Sequence, residues 1–161
     1  MVYARQFYNM ESLVKLSAIL LLLSVACTAS HATPKRPWRV DVTTTGGIAG
    51  RGTGDYAIDS DGKVTARLFN GRECTFTTSV ESIESILANA RPGEWKESYY
   101  PENPCCDRFE YTLTYDEAGV ETTTKWVDDP LPMPADLVAL SNAMVGGEPS
   151  SIRMLATERC R

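Results

Sequence analysis

Histidine is almost missing from this chain: among 161 residues, His31 stands alone. It lies just past a short apolar run, Leu16 to Ala26, that follows Lys15. That run is too short to cross a bilayer as a helix. A basic residue, a short apolar stretch and a small-residue end instead predict a secretory signal peptide over residues 1–32. The expected cut follows Ala32, with Ser30 at −3; a cut after Ala29 is the alternative. Cleavage removes His31, so the mature chain has no imidazole for a triad, a proton shuttle or a metal.

Other absences narrow the field further. Beyond the signal, serines are plentiful, but none sits in Gly-x-Ser-x-Gly. No Cys-x-x-Cys is present, and no histidine completes a zinc set. Basic residues are scattered, with Lys35, Arg36 and Arg39 as the one cluster. The chain carries 16 basic and 21 acidic residues, a net −5 that becomes −6 once Arg5, Lys15 and Glu11 leave with the signal. Nothing here forms a counterion-releasing patch, so nucleic acid is not an expected partner.

Five cysteines are present. Cys27 closes the signal region, where Leu23-Ser24-Val25-Ala26-Cys27 looks like a bacterial lipobox with Ser24 where leucine is usual. On that alternative the signal covers 1–26 and Cys27 carries a lipid anchor. The other four, Cys74, Cys105, Cys106 and Cys160, are disulfide candidates in an exported chain. Neighbouring Cys105 and Cys106 do not easily bridge each other. Cys74 is therefore expected to pair with one of them and Cys160 with the other.

The remainder reads as one domain of about 110 residues, 38–146, after a leader over 33–37 and before a tail over 147–161. Alternation puts Trp38, Val40 and Val42 on one strand face, and Val64, Ala66 and Leu68 on another. Asp59 to Gly62 and Asn70-Gly71 predict turns between strands. Thr78 and Glu81 have capping-box spacing ahead of Val80, Ile83, Leu87 and Ala90 on one helical face. Phe109, Tyr111, Leu113 and Tyr115 then alternate, a turn follows, and Val120 to Trp126 alternates back. Pro134 opens a second helix with Leu137, Leu140 and Met144 inward, and Gly146-Gly147 ends it. The expected fold is α+β: an antiparallel sheet of four to five strands with two helices packed on one face, in the order strands, helix, two strands, helix. The tail is expected to be loose until Cys160 ties it down.

Several groupings suggest chemistry. The stretch Gly46 to Gly54 lacks the lysine and following helix of a phosphate loop and reads as a flexible hairpin tip. Asp55, Asp59 and Asp61 with Gly62 lack the other ligands of a calcium loop and read as a turn. Glu110 and Glu121 are expected to face each other on the wet side of the last hairpin, the one carboxylate pair in a glycosidase-like position. Trp95, Tyr99 and Tyr100 lie in an irregular segment, where they either anchor a partner or plug the sheet edge.

Val42-Thr43-Thr44-Thr45-Gly46-Gly47-Ile48-Ala49-Gly50 and Asp107-Arg108-Phe109-Glu110-Tyr111-Thr112-Leu113-Thr114, in that order, resemble the emfourin family. Those are small bacterial inhibitors of thermolysin-like, zinc-dependent proteases. The resemblance spans roughly Trp38 to Met144. The chain differs from the family pattern in its signal, its cysteines, an inserted loop from Trp95 to Cys106, and Ile48 where an aromatic is common. The resemblance implies a protein that blocks a metalloprotease cleft. Gly46, Gly47, Ile48, Ala49 and Gly50 are the expected binding residues, with Ile48 offering an apolar side chain. Leu131 and Met133, held between prolines, offer others. The expected function is that of an exported, non-enzymatic binding domain, periplasmic or secreted, needing no cofactor. The alternative is an interaction module of the bacterial envelope, anchored through Cys27.

Overall fold

The computed structural model describes residues 36–47, 50, 52–102, 107–128 and 130–161. The signal peptide, His31, Cys27, Ile48, Ala49, Cys105 and Cys106 lie outside them.

Seven strands form one sheet: β1 (Trp38–Gly46), β2 (Gly54–Asp59), β3 (Lys63–Leu68), β4 (Glu73–Thr77), β5 (Ser98–Tyr99), β6 (Phe109–Glu117) and β7 (Val120–Val127). Three helices accompany them: α1 (Glu81–Leu87), α2 (Ala135–Val145) and α3 (Ile152–Arg159). The spatial order is β4-β3-β2-β1-β6-β7-β5. Every neighbouring pair is antiparallel except β5 and β7, which run parallel. The expected four- to five-stranded antiparallel sheet with two helices is therefore wrong in strand number, sheet type and helix number. The reasons are local. β5 has two residues, too few to show a period of two. Ile152 to Arg159 is short, with polar residues at four of its eight positions, so no long apolar stripe announces α3.

Alternation explains the core. Val40 lies between Ile58 and Tyr115, and Val42 between Tyr56 and Leu113. The same sheet face continues through Val64, Ala66 and Leu68 on one side and Trp126 and Tyr99 on the other. Leu137, Leu140 and Met144 of α2 and Ile152 and Ala156 of α3 complete this cluster. Each such side chain contributes about 1.5–3 kcal/mol by leaving water. On the opposite face Arg39, Thr43, Thr65 and Arg67 remain exposed.

Helix α1 starts later than expected. The Thr78 N–H is bonded to the Gly62 carbonyl at 2.9 Å, which ties Thr78 to the β2–β3 turn, and Val80 rather than Thr78 stands at the helix cap. The Ser79 hydroxyl accepts from the Glu81 N–H at 3.3 Å instead. The tail is not loose. Ser151 caps α3, its hydroxyl accepting from the Met154 N–H at 3.4 Å. Ile152, Ala156 and Cys160 recur every four residues, so all three face the core, and all three are buried. That places Cys160 against β4, and it forms a disulfide with Cys74, Cα to Cα 5.9 Å. The expectation that each pairs with Cys105 or Cys106 is overturned, because helical spacing rather than the proline-rich loop brings Cys160 to its partner.

Candidate functional site

The glycine stretch lies at one end of the sheet, where β1 stops and β2 begins. The glycines described in it are hydrogen-bonded to one another and to the start of β6. The Gly47 N–H donates to the Arg108 carbonyl at 3.1 Å, the Gly52 N–H to the Gly46 carbonyl at 3.0 Å, and the Gly50 N–H to the Gly47 carbonyl at 2.8 Å. Gly46 has φ +87° and Gly52 φ +66°. A Cβ on Gly46 would strike the Arg108 carbonyl, and one on Gly52 the Thr44 carbonyl. Both positions thus require glycine for conformation and for clearance. Below the loop, Thr53 donates to Thr44 Oγ1 at 3.3 Å, and the Tyr56 hydroxyl donates to the Thr53 carbonyl at 2.8 Å.

Beside the loop is a cleft of about 480 Å³ lined by Thr43, Thr45, Gly50, Asp55, Arg67 and Asn70, among others. Its two charges are joined. Asp55 accepts from Arg67 Nε at 2.8 Å and, through its other oxygen, from the Thr44 N–H at 3.2 Å. On the cleft rim is Phe69, 68 % exposed. A three-residue loop closes the β3–β4 hairpin here. The Gly71 N–H donates to the Leu68 carbonyl at 2.8 Å, Leu68 and Arg72 close the ladder at 2.8 Å, and the Asn70 side chain accepts from the Arg72 N–H at 3.0 Å.

Of the expected binding residues, Gly46, Gly47 and Gly50 belong to this end of the sheet, while Ile48 and Ala49 lie outside the described residues. Phe69 was not foreseen, although a signal exists. Val64, Ala66 and Leu68 take the inward positions of β3, so an apolar residue at 69, next to Asn70-Gly71, has to point out.

The other groupings resolve differently. Glu110 is opposite Val127 and Glu121 opposite Asp116, so the two carboxylates lie toward opposite ends of the hairpin and make no pair. Glu110 instead meets Tyr100, whose hydroxyl is pushed up to about 12 by burial and by that carboxylate. Asp59 accepts from the Asp61 and Lys63 N–H groups at 3.0 and 3.1 Å, forming a turn. Among the described residues no cluster of acidic, histidine or cysteine side chains could hold a metal. Trp95 and Tyr99 are 8 % and 2 % exposed, so they plug the sheet edge. Leu131 is exposed, and Met133 packs partly against the core.

A second cleft, of about 500 Å³, separates α1 from the start of α2. Within it Asp136 Oδ2 accepts from the Arg91 N–H at 2.9 Å and from the Trp95 indole N–H at 3.1 Å. Partial burial pushes this carboxyl up, but the hydrogen bonds outweigh it and hold the group below its ordinary value. Its Oδ2 already accepts from donors of its own fold, which makes it a clamp on the 91–95 segment.

Among the described residues no helix is long and apolar enough to cross a membrane. No protein-family model matches the chain, and no curated protein or solved structure matches it.

Proposed function

We propose that this chain is an exported, non-enzymatic binding domain that inhibits a thermolysin-like metalloprotease by seating its glycine-loop end in the protease cleft. One observation carries the reading: the backbone of Gly46, Gly47, Gly50 and Gly52, the glycines that frame the loop, is held by hydrogen bonds to Arg108 and among themselves. A segment already held in one shape loses little conformational entropy on binding, which favours tight association. The emfourin-like order of the Gly46–Gly50 and Asp107–Thr114 segments supplies the protease class. The test is titration of purified mature protein into a thermolysin-type protease. Stoichiometric loss of activity, weakened by Ile48→Asp, is the expected outcome. Full activity across a panel of such proteases removes the reading.

The lipobox-like Leu23–Cys27 segment favours a second reading, an interaction module anchored to the bacterial envelope. On that reading the protein fractionates with membranes and a Cys27→Ser variant is released. Equal release of both forms excludes the anchor.

A further inference from the structure

We infer that Phe69 is the principal anchor of the binding end, inserting as a single phenyl ring into an apolar pocket of the partner protein while the partner's rim enters the cleft beside it. This rests on the reading of the glycine-loop end as a contact surface, and names the residue and the partner chemistry.

Phe69 has no task in the fold. The turn is closed by the backbone of Leu68, Gly71 and Arg72 and by the Asn70 side chain, and any residue satisfies its geometry at position 69. The preceding residue, Leu68, is buried and its backbone is bonded to Gly71 and Arg72, so the chain is anchored immediately before Phe69. An exposed aromatic next to a concave surface is the composition of an interface hot spot: a large apolar area with few rotamers to freeze. Among the exposed large apolar residues that are described, Val120 is as accessible, at 70 %, but sits on the β6–β7 turn at the opposite end of the sheet, away from the cleft. Leu131, Val138 and Met154 are less exposed.

Charge narrows the partner. The chain is net −5, yet among the described residues that line the cleft beside Phe69 the only charges are Asp55 and Arg67, which are paired with each other. A fitting partner surface is therefore an apolar pocket the width of one ring, bordered by uncharged hydrogen-bonding groups that meet Thr43, Thr45 and Asn70. A strongly basic or acidic surface does not fit.

The test measures inhibition of thermolysin by the wild-type chain and by Phe69→Ala, Phe69→Leu and Val120→Ala, with melting temperatures alongside. Phe69→Ala should weaken inhibition about 30-fold or more. Phe69→Leu should keep most of it, and Val120→Ala should match wild type, all four melting together. If the wild type inhibits and Phe69→Ala is as potent, the anchor is refuted while the inhibitor reading stands. Equal losses for Phe69→Ala and Val120→Ala also refute it. If the wild type does not inhibit at all, both fall together.

Discussion

The two edges of the sheet meet the same hazard in different ways. An edge strand carries unpaired backbone groups that invite unwanted pairing. At β4 the remedy is covalent: Cys74 is bridged to Cys160, and Arg159 donates to the Thr77 carbonyl at 2.7 Å while lying over the Phe76 ring. At the β7 side the remedy is packing. β5 adds only two residues, but Tyr99 is buried against Trp126, which stacks on Tyr111 with ring centroids 5.3 Å apart. Thr124 donates to the Lys96 carbonyl at 2.8 Å, and the Lys125 N–H to that of Glu97 at 3.0 Å. One edge depends on oxidation and the other on side-chain volume, so they should fail under different stresses.

The largest effect should come from the covalent edge. Cys74 and Cys160 are 86 residues apart. A loop of that length, left open in the unfolded chain, costs about 4–5 kcal/mol of stability in the chain-entropy account. Cys160→Ser should therefore lower the chemical-denaturation midpoint sharply, and reductant should do the same to wild type but not to the variant. A reductant effect that persists in Cys160→Ser would show that the contrast between the edges is misplaced.

Next comes Tyr99→Ala, which removes a buried ring from the packed edge and should cost about 3–4 kcal/mol. The Lys125 amide should then lose hydrogen-exchange protection, while amides of β3 keep theirs. Equal loss on both sides of the sheet would mean that the two edges open as one unit.

Arg159→Ala is expected to cost about 1 kcal/mol or less, since Arg159 is exposed and the loss is one hydrogen bond and one cation–π contact. The smallest effect is a pH dependence on the packed side. Asp136 has a lowered folded-state value, so its stabilising contribution is present above the ordinary carboxylate value of 3.8 and drains away as pH falls through the lower folded one. Asp136→Asn should flatten that acid limb in thermal melts read by tryptophan emission. An unchanged acid limb would exclude Asp136 as the clamp on residues 91–95.

The strands were legible wherever a period of two ran for five residues or more. Trp38, Val40 and Val42, the Val64 to Leu68 run, and the Phe109 to Trp126 hairpin all lie as their patterns predict. Helix α2 was legible from Pro134, Leu137, Leu140, Met144 and Gly146. At the candidate site the glycines were visible but their state was not. The hydrogen bond from Gly47 to Arg108, more than fifty residues away, leaves no local trace. Glu110 and Glu121 were misjudged because the register follows the two-residue turn at Ala118-Gly119, which sets Glu117 against Val120 and so moves the carboxylates apart.

Local order alone determined which side of each long strand faces the core, where the chain turns, and that glycine recurs between β1 and β2. These follow from side-chain alternation and backbone sterics, which act between near neighbours. Tertiary contact alone decided that β5 joins in parallel, that Cys74 finds Cys160, and that Phe69 stands beside the glycine loop. Each joins segments far apart in the chain, and no short-range period records which distant surfaces will meet.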